Sequence, residues 1–342
     1  MKTLRRVTAL LLGAWTWLPG ATPPAPVRLV FDTDMGNEVD DVLALGLIHA
    51  LQTRGACELV AVTLTHPDPM AARYVDAVNT FYGRGEILIG VNPDAPKMGP
   101  IKFLRVAEPR DAAGKAVFPH DIDPSTAPRA LALLRRPLAG ADDGSVVLVQ
   151  VGYFTNLVQL IESAPDEISP LAGRELVTRK VRLLSAMAGA FQTVDGNNHI
   201  IEYNMRCDIP AARKRAEQWP TSILWSDWKI GLAIKLPAMA VERDFGRGRH
   251  PVPEAYQLYK PTPHERPCWD PSSVLAVVYP DRGYLGVSAR GRVTIEADGF
   301  TRFTPAKESQ PGRNQFVLAD REQAARAREL LAALVTQPSH LP

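Results

Sequence analysis

Residues 31–45 read FDTDMGNEVDDVLAL, which places Asp32, Asp34, Glu38, Asp40 and Asp41 within ten positions and puts no basic residue among them. Carboxylates crowded this way repel and raise one another's pKa. Asp40 and Asp41 would suit a helix N-terminus, where acids meet unpaired backbone N–H groups and the positive end of the dipole. That accounts for one or two of the acids, not for the group. A bound cation resolves the conflict. Oxygen donors without clustered His or Cys specify a hard ion, Ca²⁺ ahead of Mg²⁺.

Such a cluster needs elements to hold it. VRLVFDT (27–33) is a β-rich run ending in acids, and VDDVLALGLIHALQ carries its apolar residues at helical spacing. Strands are expected at 58–65, 86–91, 145–151, 180–187 and 221–225. The helices between them cover 68–82, 128–136, 155–163 and 209–219, with a further helix at 271–279. The near-continuous apolar run SVVLVQV suits a parallel sheet buried on both faces. GYLGVSARGRVTIEA reads as a small C-terminal antiparallel hairpin, and LADREQAARARELLAALVT as a closing amphipathic helix. The fold class is therefore α/β, a mainly parallel central sheet flanked by helices. Ligands in such sheets sit outside the carboxyl ends of the strands, where Asp32 and Asp34 fall. Prolines gather in 92–128 and 250–271, which read as long ordered loops.

Met1–Arg6 is basic, the run VTALLLGAWTWL is apolar, and PGATPPAP follows, the order of a secretory signal peptide. Residues 1–21 are assigned to that leader and 22–342 to a single domain, exported to the periplasm or the extracellular space, with no stable membrane insertion once the leader is gone. Lys2, Arg5 and Arg6 lie in the leader, which leaves 36 basic against 37 acidic residues and a net charge of −1. Nothing in that balance suggests a nucleic-acid surface; the partner expected is a small molecule. Cys57, Cys207 and Cys268 are widely spaced with no CxxC pair. One disulfide with a free thiol is compatible with that spacing, and a cysteine metal site is not expected.

Four segments in order carry a resemblance. DTDMGNEVDDVLAL resembles the Asp-x-Asp-x-Gly-x-Asp-Asp signature of the inosine–uridine-type nucleoside hydrolases. VGYFTNL (151–157) resembles their Gly-x-x-Thr-Asn stretch, EYNMRCDIPAA (202–212) their Glu-Phe-Asn segment, and WDPSSVLAVVY (269–279) their late His-Asp-Pro. The resemblance implies a nucleoside-hydrolase-like fold and Ca²⁺-dependent hydrolysis of the N-glycosidic bond of a nucleoside or N-riboside. Asp34 then matches the residue that ligates calcium and takes the proton from the attacking water. Asp41, the main-chain carbonyl of Thr155 and Asp270 match further calcium ligands, with Asp270 also touching ribose. Asp40, Glu202 and Asn204 match residues that hold the sugar, and Asp32 a supporting acid. Relatives are commonly dimers or tetramers, so a homo-oligomer is a further implication.

The chain departs from this pattern at four places. The signature is two residues longer, so Asn37 and Glu38 either extend the turn, the favoured reading, or let Glu38 reach the sugar. Asp68 stands where many relatives have a ligand-contacting Asn, with His66 nearby as a loop histidine. Trp269 replaces the histidine that in some relatives protonates the departing base; Trp can stack but cannot act as a general acid. His199 and His264 are conceivable substitutes, each more readily an ordinary loop histidine. Gly196 falls at the spacing of an upstream sugar-gripping Asn, with Asn197 and Asn198 just after it. A binder without turnover, a hydrolase of another small glycoside, and a phosphatase of the haloacid-dehalogenase type are the competing readings. The phosphatase is disfavoured by Gly36, where that class expects Thr or Val.

Overall fold

The computed structural model describes residues 25–97, 103–246, 248–309 and 311–339. The proposed leader lies outside them. In chain order the elements are β1 (Val27–Thr33), α1 (Asp40–Thr53), β2 (Cys57–Leu64), α2 (Pro69–Phe81), β3 (Ile89–Val91), α3 (Ala130–Ala139), β4 (Val146–Gln150), α4 (Thr155–Glu162), α5 (Gly173–Lys180) and β5 (Val181–Met187). Then follow α6 (Tyr203–Cys207), α7 (Ile209–Gln218), β6 (Ser222–Ser226), α8 (Trp228–Ala233), β7 (Lys235–Leu236), α9 (Pro251–Tyr259), β8 (Arg266–Pro267) and α10 (Trp269–Val278). β9 (Gly286–Val287), β10 (Gly291–Ile295), β11 (Thr301–Pro305), β12 (Asn314–Leu318) and α11 (Arg321–Val335) complete the chain.

Among the described residues ten strands form one sheet in the order β11-β10-β12-β6-β5-β4-β1-β2-β3, with β9 beside β12; β7 and β8 pair separately. β1 through β6 and the β6–β12 pair are parallel. Strand order reverses between β1 and β4, the position where open α/β sheets leave a crevice at their carboxyl ends. Alternation along β1 sends Leu29 and Phe31 into one apolar layer and Val30 into the other. Both faces are covered, as expected for a parallel sheet.

The strands converge tightly at the crevice. A Cβ on Gly152, just after β4, would lie 2.4 Å from Thr65 Oγ1 and 2.5 Å from the Asp34 backbone N. Only glycine lets the β4 loop pass this close to the acidic turn.

Two sequence expectations are corrected. The run 283–297 does not fold on itself: β10 pairs antiparallel with β11 while β9 pairs with β12. The hairpin turn therefore lies at 296–300, where Glu296 and Phe300 close it. Segment 250–271 is not all loop, since Pro251 opens α9 behind His250, whose ring accepts from Val252 N. Proline is tolerated at that position because the first helical N–H needs no partner. The three cysteines are all free. Among the described residues no helix is long and apolar enough to cross a membrane.

Candidate active site

α1 and α10 supply the core of the site. Nearly all of α1 and every residue of α10 is buried, and each helix carries acids in its first turn, Asp40 and Asp41 on α1 and Asp270 on α10. Side-chain caps are absent from both N-termini. The acids therefore complement the helix dipoles there while remaining free for other chemistry. With Asp34 from the β1 turn, Glu202 at the N-cap of α6 and Asn204 within it, they line one cleft at the strand-order switch. Asn37, Glu38, Val151, Met187, Tyr203, Trp228 and Trp269 complete its walls.

Asp41, Asp40, Glu202 and Asp32 are each held by their own partners. Thr33 Oγ1 donates to Asp41. Arg266 Nη2 donates to Asp40 Oδ1 at 2.9 Å and pairs with Glu38 as well. Glu202 accepts Asn204 N at 2.9 Å on one oxygen and Met205 N at 3.2 Å on the other, while Asn204 Nδ2 donates to the Val151 carbonyl at 2.8 Å. Asp32 lies behind them, accepting from Thr63 Oγ1 at 2.6 Å and Asn156 Nδ2 at 2.7 Å. Asp34 Oδ2 and Asp32 Oδ2 are buried without a protein partner.

Burial, followed by the charges of Asp41 and Asp40, holds Asp34 well above the usual carboxylate range. Burial and Asp40 do the same to Asp41, and burial with Asp40, Asp41 and Asp34 to Asp270. Burial pushes both Asp32 and Glu202 up to about 7. The buried Arg266 is kept charged by Asp40 and Glu38, and it is the one guanidinium paired with the acidic turn among the described residues.

Not every expected residue reaches the cleft. Asp68 caps α2, accepting from Met70 N at 2.7 Å, and is not part of the lining. His66 accepts Asp68 N at Nδ1 and faces the Met35 carbonyl through Nε2 at 2.9 Å. That fixes the Nε2–H tautomer and makes His66 a strut between the β2 loop and the acidic turn. Asn197 and Asn198 lie exposed on a turn outside the lining, with Asn197 Oδ1 accepting His199 N. His199 stacks on Phe300 and meets Asp298, and His264 stacks on Tyr256. Both are loop histidines. Thr155 opens α4, and its hydroxyl donates to Asp208 Oδ2 at 2.8 Å, which also takes Phe154 N.

Trp269 is more a wall than a platform. It is 6% exposed, stacks on Trp228 at 4.6 Å, and donates Nε1 to the Trp228 carbonyl at 2.8 Å. A Cβ on Gly231 would meet its ring at 2.0 Å. The more accessible indole is Trp228, on α8 beyond the carboxyl end of β6. Trp269→Ala is therefore expected to destabilise the protein by about 3–5 kcal/mol, as for other buried aromatic truncations. Thermal and denaturant unfolding check this; unchanged stability would show that the ring is not packed as described.

Sequence reasoning missed Arg266, Trp228 and Asp208. Trp228 follows a strand end, which could have flagged it. Arg266 lies 226 positions from Asp40, and no local pattern announces their pairing.

The description "Inosine-uridine preferring nucleoside hydrolase" belongs to the family whose model matches residues 29–330. The chain belongs to that family. With it, the chain belongs to the hydrolases that act on N-glycosyl bonds. No curated protein matches the sequence at a significant level. Among solved structures, a plant nucleoside hydrolase is 21% identical with a TM-score of 0.69, over 92% of this chain and 100% of that one. A purine-preferring ribonucleoside hydrolase from Gardnerella vaginalis is 17% identical with a TM-score of 0.66, over 90% and 99%. The type III effector protein XopQ, solved with adenosine diphosphate ribose, is 18% identical with a TM-score of 0.63, over 92% and 94%. At these identities the likeness establishes the nucleoside-hydrolase fold, including a member of a different description.

Proposed function

We propose that the protein hydrolyses the N-glycosidic bond of ribonucleosides or related N-ribosides with calcium as its metal, acting after export as residues 22–342. The observation that carries this is Asp34: a buried carboxylate with an unpartnered oxygen, at the strand-order switch, ringed by Asp40, Asp41, Asp270 and Glu202. Among the described residues no trio of His, Cys, Asp or Glu stands ready-made around a metal position. The donor chemistry nevertheless fits a hard cation. The donors are oxygens, and the carboxyls of Asp34, Asp41 and Asp270 push one another toward protonation, a conflict that a divalent ion relieves.

Asp34, Asp41, Asp270 and the Thr155 carbonyl would hold the ion. Bound there, it supplies charge neutralisation and an anchor for water and sugar hydroxyls. Asp34 takes the proton of the attacking water at its unpartnered oxygen. Asp40, steadied by Arg266, with Glu202 and Asn204, holds the ribose. The remaining negative charge stabilises the oxocarbenium-like sugar as the C–N bond breaks.

The test is reducing-sugar release from inosine, uridine, adenosine and cytidine, with calcium and with a chelator. Chelator-sensitive release is expected. No release from any N-riboside while calcium remains bound would favour a non-catalytic ribose binder or a different glycoside.

The acids also predict a pH dependence. Asp32 and Glu202 rise to about 7 in the fold, so unfolding releases their protons and stability falls as pH climbs toward 7. The buried histidines act oppositely: His49 is lowered to about 3 and His250 to about 4, so their contribution grows with pH but is complete above the ordinary value of 6.5. From pH 6 to 8 the acids dominate, and the metal-free protein is expected to lose thermal stability. Calcium should raise the melting temperature more at pH 8 than at pH 6. Equal calcium shifts at both pH values would contradict a site built from these carboxyls.

A further inference from the structure

We infer that the preferred substrate is an N-riboside whose leaving group is a cationic aromatic heterocycle of the pyridinium type, held against Trp228. This rests on the hydrolase reading above and names its substrate class.

Three features of the cleft carry it. Among the described residues that line it, Asp34, Glu38, Asp40, Asp41, Glu202 and Asp270 are acids, and no Lys, Arg or His joins them. Even with a divalent ion bound, the cleft stays negative. Arg266, the cation beside it, is outside the lining and is tied to Asp40 and to Glu38, one of the two residues added by the longer signature. Second, no histidine lines the cleft, and the phenol that does, Tyr203, is pushed above its ordinary range by burial and is a poor acid. His66 is bound to Met35 and Asp68, His199 to Asp298, and both Glu202 oxygens accept backbone N–H groups. Third, the Trp228 indole, backed by Trp269, forms one wall. A flat cation on an indole face gains both stacking and cation–π attraction.

The reaction balances without an acid. Water oxygen bonds to C1′, its proton passes to Asp34 and on to solvent, and the C1′–N pair returns to the ring nitrogen. A pyridinium thus leaves as a neutral pyridine. A neutral nucleoside would expel an anion that these side chains do not protonate.

The probes are nicotinamide riboside, nicotinic acid riboside, inosine and uridine, tested on calcium-loaded protein. The nicotinic acid compound keeps ring and bond but adds a carboxylate. Pyridinium ribosides are intrinsically labile, so calorimetric affinity of Asp34→Asn is measured beside turnover. Expected are a kcat/KM for nicotinamide riboside at least tenfold above inosine and uridine, and a Kd at least tenfold below those of inosine and nicotinic acid riboside. Glu38→Gln, which leaves Arg266 less neutralised, should shrink these ratios severalfold. Equal or better use of inosine or uridine, or equal Kd values, overturns the inference and leaves the hydrolase reading intact. Sugar release from none of the probes overturns both.

Discussion

Asp34→Asn should lose about two to four orders of magnitude in kcat, the range for removing a general base, while substrate still binds. The amide preserves shape and leaves an acceptor oxygen, but it cannot take a proton from water. Asp34 suits that task, since the residue lines the cleft and its Oδ2 is buried without a protein partner. The same substitution should stabilise the metal-free protein. Asp34 is 2% exposed and sits among Asp40, Asp41 and Glu202, which oppose its ionisation. Replacing it with a neutral group removes that repulsion and the cost of burying the charge. Opposite movements of rate and melting temperature would mark a residue kept for function at the expense of stability. Near-normal turnover with chelator-sensitive activity would remove Asp34 as the base.

Asp270→Ala should cost calcium and activity together, with calcium affinity falling at least about 100-fold, the upper end of what loss of a mere supporting group costs a metal site. Asp270 is buried in the first turn of α10, and its backbone N lies 3.4 Å from Asp40 Oδ2, so this helix start faces that of α1. The helix itself should survive, because its residues are buried among α1, α8 and the sheet and do not depend on a cap. Equilibrium dialysis and circular dichroism separate the two effects. Tight calcium binding in a folded variant would dismiss Asp270 as a ligand, whatever happens to the rate.

The parts of the fold that read clearly were those with a strong local pattern. β4 is five consecutive buried residues and was legible as an apolar run; α1 and α10 were legible as longer apolar stretches opened by acids. The C-terminal pairing was not. β9, β10, β11 and β12 are short, and their partners are chosen by the sheet edge built from β6, which no window of 283–297 contains. The proline-rich stretch around α9 misled because proline disfavours helix interiors but not helix starts.

The sequence by itself determined the acids, their position at the end of the first strand, the mainly parallel sheet and the family. These are local or ordered signals: residue type, spacing and period. Tertiary structure decided which of those residues meet. It brought Asp34, Asp40, Asp41, Glu202, Asn204 and Asp270 to one cleft and left Asp68 as a cap and Asn197 and Asn198 on an exposed turn. It also turned Trp269 into packing, moved the accessible indole to Trp228, and set Arg266 against Asp40 and Glu38. The physical reason is that burial, pairing and charge balance depend on neighbours far apart in the chain, and only the packed sheet and helices bring those neighbours within reach.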